Sequence, residues 1–588
     1  MNPPQKCSDP LHCLLCIDHV SVEGTGGAKE FLWLTCGVTA ACTVGQQIWM
    51  PCLRVITLTL LEKIEKDVTD ETPDHWKVQE GSTKPSQAEE RTVLGIGFPN
   101  TMGPLEACAF SVLGLAILLL ARSFHQDPLS CFPGPPLAKW TWLYRAYYDI
   151  VVGGGWLSHL QALHETYGPV VRVGRNELHF ADPSAYADIY NSPYKLPKDP
   201  SLYHHTFNFG LPLNIFSMTN PKDHSATKSL FSSYFSRKGI LRLEGVIQER
   251  VDKLILQLIK NHKTSPASMN HAFRAVTLDV ITRYTLRTSL DTTSFPSFHH
   301  PAILAVDARI SQLWISKHFP IFKWSVGSLP RWLVVRVSRT ARSALEMRAE
   351  MEKLVDKAIL DSLQISEKED SDSDPNVFYT LLRNAQVEGL RIAGSDTVGN
   401  ACTVGARCLV RDERVRTKLV QELEAAWPDK DTPMPLERLE KLPYLTAVIK
   451  ESLRLSHGVV TPMTRVVSDS GAVIAGRPVP PGTIVSIGNS FVHMNADIFP
   501  DPARFYPERW LEDRDHLLDR YLVSFGKGLR ACLGINLAWS ELYMILGNVF
   551  RKLDFQSRSD LWSEMKIMEY FLALYEGDVL DVTVSERE

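Results

Sequence analysis

The stretch FGKGLRACLG, Phe525 to Gly534, constrains this 588-residue chain more than any other. It sets one cysteine between glycines, with an arginine two places ahead of it. A cysteine thiolate is a soft, strongly donating ligand, and a cationic turn rich in N–H groups favours its ionised form. Gly526, Gly528 and Gly534 let the backbone approach a large flat group and turn N–H donors toward the sulfur. Arg530 can neutralise a carboxylate on such a group. No second cysteine or histidine stands nearby at metal-ligand spacing, which argues against zinc. A single axial thiolate fits haem iron, because the porphyrin supplies the in-plane ligands.

The other cysteines sharpen the contrast. Of eleven in the chain, eight lie before residue 132, and only Cys402, Cys408 and Cys532 lie beyond it. A disulfide-stabilised secreted enzyme would spread its pairs through the body, so the body reads as a reducing-compartment domain. Cys7, His12, Cys13 and Cys16 are too crowded to favour a zinc site. A formal net charge of -4 with no long basic run gives no reason to expect nucleic acid as a partner. The glycine clusters LGIGFPN and GGGW lack the residues of a dinucleotide or phosphate loop, so electrons for any redox chemistry must come from a separate protein.

Along the chain, residues 1–104 form an atypical N-terminal extension. Within it, 31–53 is uncharged and long enough for a possible extra span, and 62–91 has linker composition. Residues 105–122 contain the apolar run ACAFSVLGLAILLLA and read as a membrane anchor in contact with lipid. The proline-rich CFPGPPLAKWTWLY, beginning at Cys131, is a stiff lead into a globular body spanning 131–588. That body is mainly α with a minor β part. WLSHLQALHETYG predicts a helix ending at Gly168, PVVRVGRNELHF two short strands around a turn, and most of 240–460 carries helical period.

Three further clusters carry chemistry. In LPYLTAVIKESLRLS, Glu451 and Arg454 stand at i and i+3 and share a helix face; alone, such a pair is ordinarily a surface ion pair. In AGSDTVGNA, Thr397 can bond back to the carbonyl of residue 393, one turn earlier; alone, SDT is ordinarily a helix cap. PMTR ends in Arg465, and DHSATK supplies His224 and Lys228.

Phe525, Gly528, Arg530, Cys532 and Gly534 match F-x-x-G-x-R-x-C-x-G with every spacing kept, and the chain resembles the cytochrome P-450 superfamily from about Pro104 onward. The resemblance implies that fold, with haem b as cofactor and Cys532 as the axial ligand to its iron. It implies that Glu451, Arg454 and Arg509 of FYPERW form a structural charge network beneath the haem. It further implies that Gly394 clears space for dioxygen and that Asp396 and Thr397 manage protons. Arg530, Arg465, His224 and Lys228 fall where the family contacts the haem carboxylates, and Val459, Val460 and Thr461 where it lines the substrate pocket. The stretch YYDIVVGGGWLSHLQALHETYGPVVRVGRNELHF is similar to fungal members that oxidise terpenoid and polyketide intermediates. The implied activity is insertion of one atom of O2 into a small apolar metabolite, with electrons from an NADPH-cytochrome P-450 reductase. The implied location is the endoplasmic reticulum membrane, with the catalytic domain facing the cytosol. A haem-thiolate isomerase or dehydratase, and a non-catalytic haem-binding protein, remain the alternatives.

Two departures from the family pattern stand out. About a hundred residues precede the anchor, and only 19 positions separate Pro375 from Gly394, so Arg391 falls on a shortened half of the distal helix.

Overall fold

The computed structural model describes residues 127–320, 353 and 387–587, except 192–193, 207–214, 287, 311–312, 558–565 and 576–578. The expectations for 1–104, 31–53, 62–91 and 105–122, and most of the short segment before Gly394, lie outside the described residues. Among those described, no helix is long and apolar enough to cross a membrane. From Gly134 onward the described residues belong to one compact body; of residues 53–133, a separate unit, only a short turn at 127–133 is described.

The helix expected to end at Gly168 is α1 (Trp156–Tyr167), and Gly168 closes it at φ 92. The next two strands are β1 (Val170–Gly174) and β2 (Glu177–Phe180), paired antiparallel as Val170 with Phe180 and Arg172 with Leu178. Short strands β3 (Arg465–Val466) and β4 (Ile484–Ser486) complete a mixed sheet in the order β1-β2-β4-β3. A second hairpin joins β5 (Ile567–Tyr570) to β6 (Leu572–Tyr575).

Helices make up most of the body. Of those that matter for the site, α2 (Pro221–Ser232) opens with proline at its first position and an Asn220 cap that accepts from the Lys222 N–H. After α3 (Glu244–Asn261) comes α4 (Met269–Leu286), buried on almost every face. Then follow α5 (Pro301–Ile310), α6 (Leu313–His318) and α7 (Val387–Arg411). Helix α8 (Glu413–Ala426) is capped by Asp412 and leads to α9 (Pro443–Ser456). Glu422 of α8 accepts the Tyr444 and Leu445 N–H groups, both at 2.8 Å, so it satisfies two donors that the start of α9 would otherwise leave unpaired. Helix α10 (Ile535–Lys552) begins directly after Gly534 and is buried along most of its length.

Helices α4 and α7 pack unusually closely. A Cβ on Gly399 would lie 3.0 Å from the Arg274 backbone, and one on Gly394 would lie 2.8 Å from the Ile281 side chain. Thr277 of α4 donates across the contact to the Ser395 carbonyl at 2.7 Å. Close packing of this kind needs glycine on one partner, because any side chain would push the helices apart.

Candidate active site

The turn Phe525–Gly534 is held shut by its own backbone: the Cys532 N–H donates to the Phe525 carbonyl at 2.8 Å. Gly528 has φ +71, and a Cβ there would lie 2.3 Å from the Tyr190 carbonyl oxygen, so only glycine fits against that neighbouring helix. Its role in the turn is therefore packing. Gly526 and Gly534 have open space on the side where a Cβ would be.

An interior cavity of about 320 Å³ lies above this turn. Helices α4 and α7 bound it with Ile281, Gly394 and Val398, while Phe571 and Leu572 of the β5–β6 hairpin contribute an apolar wall. Phe525 and Cys532 also line it. The Cys532 side chain is exposed, and it lines this half-open space. Burial pushes the thiol above its ordinary value, outweighing a hydrogen bond from the Gly534 N–H and the nearby Lys228 ammonium. The cationic turn expected to favour ionisation does not suffice by itself; a thiolate here requires a positive partner at the sulfur.

Around the same cavity stand cations with few carboxylates to answer them. Arg465 is 6 % exposed, and its guanidinium bonds to Tyr203 Oη at 3.2 Å and to the Thr464 carbonyl at 2.9 Å. Arg530 donates to the Met218 and Thr219 carbonyls, and burial followed by the like charge of Arg465 pushes it down to about 10. Lys228 donates to the Ala531 carbonyl at 2.8 Å. His224, pushed down to about 3 by burial and then by Arg530, has no hydrogen-bond partner on its buried Nδ1. Lys198 joins them: its ammonium sits 4.2 Å over both the Tyr203 and Phe216 rings and donates to the Phe216 carbonyl. Burial, then Arg465 and Arg530, depress it well below its ordinary value. Buried like charges of this density are costly unless an anion joins them. An accessible thiol, open space beside Gly526 and Gly534, and a group of under-neutralised cations fit a metalloporphyrin carrying carboxylates.

On α7, the Thr397 hydroxyl donates to the Ala393 carbonyl at 3.0 Å, and Thr397 lines the cavity. The missing side chain of Gly394 makes room for Ile281, not for open space, which changes the reason for a glycine there. Asp396 is 5 % exposed and does not line the cavity. Its Oδ1 accepts from Arg274 at 2.5 Å and its Oδ2 from the Ser395 hydroxyl at 2.9 Å. Arg274 in turn pairs with the half-buried Asp307 at 2.7 Å. Burial opposes the Arg274 charge, but the two carboxylates hold it above its usual value.

The charge pair on α9 is wholly buried, with Glu451 and Arg454 both at 0 % exposure. Arg454 forms a two-pronged pair with Glu451, at 2.9 and 2.8 Å, and also donates to the His493 and Pro502 carbonyls. Arg509 Nε reaches Glu451 at 3.1 Å, and the Trp510 indole N–H donates to the same carboxylate at 2.9 Å.

Of the expected pocket residues, only Val459 lines the cavity. Val460 is packed with Leu157 and Ala573, and the Thr461 hydroxyl donates to Glu569 at 2.6 Å. The sequence reading missed Lys198, Arg274 and Asp307. Lys198 belongs to no motif in the sequence, and nothing local distinguishes Arg274 or Asp307 from other helix charges.

Residues 133–574, three quarters of the chain, match the family model Cytochrome P450. The chain belongs to the cytochrome P450 family. A conidiogenone synthase, PchP450, of Penicillium rubens is 32% identical over 75% of this chain and 90% of its own. A tryptophan 6-hydroxylase, fscE, of Fusarium equiseti is 33% identical over 77% and 91%. The monooxygenase macH of Penicillium terrestre is 30% identical over 78% and 92%. This cytochrome P450 is accordingly a monooxygenase of biosynthetic type, using a thiolate-ligated haem, dioxygen and a partner reductase.

Proposed function

We propose that this cytochrome P450 hydroxylates or epoxidises a small, mainly apolar terpenoid or polyketide intermediate. The carrying observation is one continuous, half-open cavity that joins an apolar wall of Ile281, Val398, Phe571 and Leu572 to an accessible Cys532 thiol. An apolar cavity selects by shape and burial, while few polar groups orient what enters.

Cys532 is the residue that would ligate the iron, with the Gly534 N–H bonding its sulfur. Arg465, Arg530, Lys228, His224 and Lys198 would hold the carboxylates. When bound, the thiolate-ligated haem supplies the activation of dioxygen. Around it the chain supplies positioning and protons. Thr397 keeps its hydroxyl in the cavity by bonding back to the Ala393 carbonyl. Asp396, one residue away but behind the wall, can receive protons from outside through a rearrangement of Arg274 away from Asp307. Asp396→Asn should therefore slow turnover and enlarge the solvent isotope effect while leaving substrate-induced spectral shifts in place.

The N-terminal region fits the same reading. An extension over 1–104 and an anchor over 105–122 would tether the body to the endoplasmic reticulum membrane, catalytic domain in the cytosol, within reach of an NADPH-cytochrome P450 reductase. Protease protection of an N-terminal tag on microsomes tests that topology.

The decisive test of the site is the reduced carbon-monoxide spectrum of the full chain. A Soret band without the red shift of thiolate ligation would overturn the Cys532 assignment. The test of activity is NADPH consumption with reductase and a panel of terpenoid and polyketide substrates. Product formed without NADPH would point to an isomerase or dehydratase, and haem binding without any turnover to a carrier.

A further inference from the structure

Behind the cavity wall, the β5–β6 hairpin is fastened in an unusual way. Its tip is the single residue Phe571, which adopts φ 76, a left-handed backbone that a bulky side chain ordinarily avoids. Such a conformation persists only where surroundings enforce it. The surroundings here are specific. The Phe571 carbonyl accepts from the Val460 N–H at 3.1 Å and the Thr461 N–H at 3.4 Å. The Thr461 hydroxyl then reaches back to Glu569, two residues before the tip, at 2.6 Å. The Glu569 carbonyl accepts from the Trp314 indole of α6 at 2.7 Å, and its N–H donates to Gly154 at 2.8 Å.

Glu569 is itself fully buried, with one carboxyl oxygen bonded to Thr461 and the other without a partner. Burial, followed by the charge of Asp149, pushes its carboxyl up to about 8. A buried acid in this state holds its one strong hydrogen bond at little charge cost. The result is delivered at the cavity: the Phe571 ring lines it and meets Phe216 edge-on, ring centres 5.4 Å apart.

We propose that Thr461 and Glu569 are positioning residues for the substrate, holding the strained hairpin tip so that the Phe571 ring limits how a bulky substrate sits over the haem. Neither touches the cavity; both act through Phe571. This rests on the reading of the cavity as the substrate and haem site, and the experiment separates failure of the two.

The test uses the haem-loaded full chain and two iron-binding probes, imidazole and 4-phenylimidazole, titrated by the shift of the Soret band. Thr461→Val, which removes the hydroxyl at nearly constant volume, should change 4-phenylimidazole affinity about tenfold, the worth of one buried hydrogen bond. Imidazole, too small to reach the wall, should change by less than about twofold. Thr461→Ser should restore the wild-type value, and in a Phe571→Ala background Thr461→Val should have no further effect. Equal changes for both probes, or an effect that survives Phe571→Ala, would overturn the proposal. If Thr461→Val fails to retain haem, hydrogen exchange over 567–575 decides instead: no faster exchange than wild type sinks it. Absence of a thiolate-type carbon-monoxide spectrum in the wild type removes the haem reading and this inference with it. A normal wild-type spectrum combined with unselective probe changes removes this inference alone.

Discussion

Two buried arginine clusters in this protein look alike in composition and differ in what answers their charge. Around Glu451, two guanidiniums, an indole N–H and the Tyr506 backbone N–H converge on one carboxylate, and the remaining guanidinium donors find backbone carbonyls. Around the cavity, Arg465, Arg530 and Lys198 have carbonyls and aromatic rings for company; the Arg465 charge adds to burial in depressing the other two, and His224 stands beside them with an unpartnered nitrogen. The first cluster is complete within the chain and serves the fold. Among the described residues the second has no carboxylate bonded to its cations, which fits a site that takes an anion from outside. Burial and charge density do not separate structural from functional ions; the source of the compensating charge does.

The comparison breaks most visibly at Glu451. Glu451→Ala would strand two buried guanidiniums at a cost of about 3–5 kcal/mol, a large part of the stability of an ordinary domain. Thermal unfolding should fall in both the haem-free and haem-loaded forms, and an unchanged melting temperature would contradict a structural role.

Arg465→Leu should do the reverse. It removes a buried charge that has no carboxylate partner among the described residues, so the haem-free protein should melt no lower than wild type. Haem transfer to apomyoglobin should speed up by about tenfold or more, the worth of one charge-assisted hydrogen bond. Equal loss of stability with and without haem would erase the distinction between the clusters.

Lys198 offers a finer cut. Lys198→Met keeps the chain over Tyr203 and Phe216 but removes the charge, and should accelerate haem loss by less than Arg465→Leu, because a lysine is the weaker match to a carboxylate. A larger effect than that of Arg465→Leu would reorder the cradle.

The pH-dependent comparison concerns Glu569, whose folded-state value lies near 8 against an ordinary 4.5. A raised carboxyl binds more protons in the folded state, so its stabilising contribution is complete below about pH 4.5 and is lost as pH rises toward 8. Stability of Glu569→Gln relative to wild type should therefore improve across that window, and a flat difference would place the ionised form in the fold.

The legible part of the site was local. The cysteine turn, the Glu451–Arg454 spacing and the Thr397-to-Ala393 bond each lie within ten residues, where backbone geometry ties sequence separation to distance. The strands at 170–180 and the helices ending at Gly168 or crossing Glu451 were legible for the same reason. The partners that decide what those residues do were not. Arg274 meets Asp396 across 122 residues, and Thr461 meets Glu569 across 108. Thr461 was read as a pocket residue from its neighbourhood, and only the side-chain direction turned it away from the cavity.

By itself, the sequence determined the cysteine turn, the mainly helical class and the shared helix face of Glu451 and Arg454, because spacing of a few residues leaves the backbone little choice; that the pair is buried was implied only by the family resemblance. Only the tertiary structure decided which cations share a cavity without bonding a carboxylate among the described residues, which side chain crowds Gly394, and what holds Phe571 in a left-handed turn. Each of those depends on two segments being brought together by packing, and packing answers to the whole chain at once.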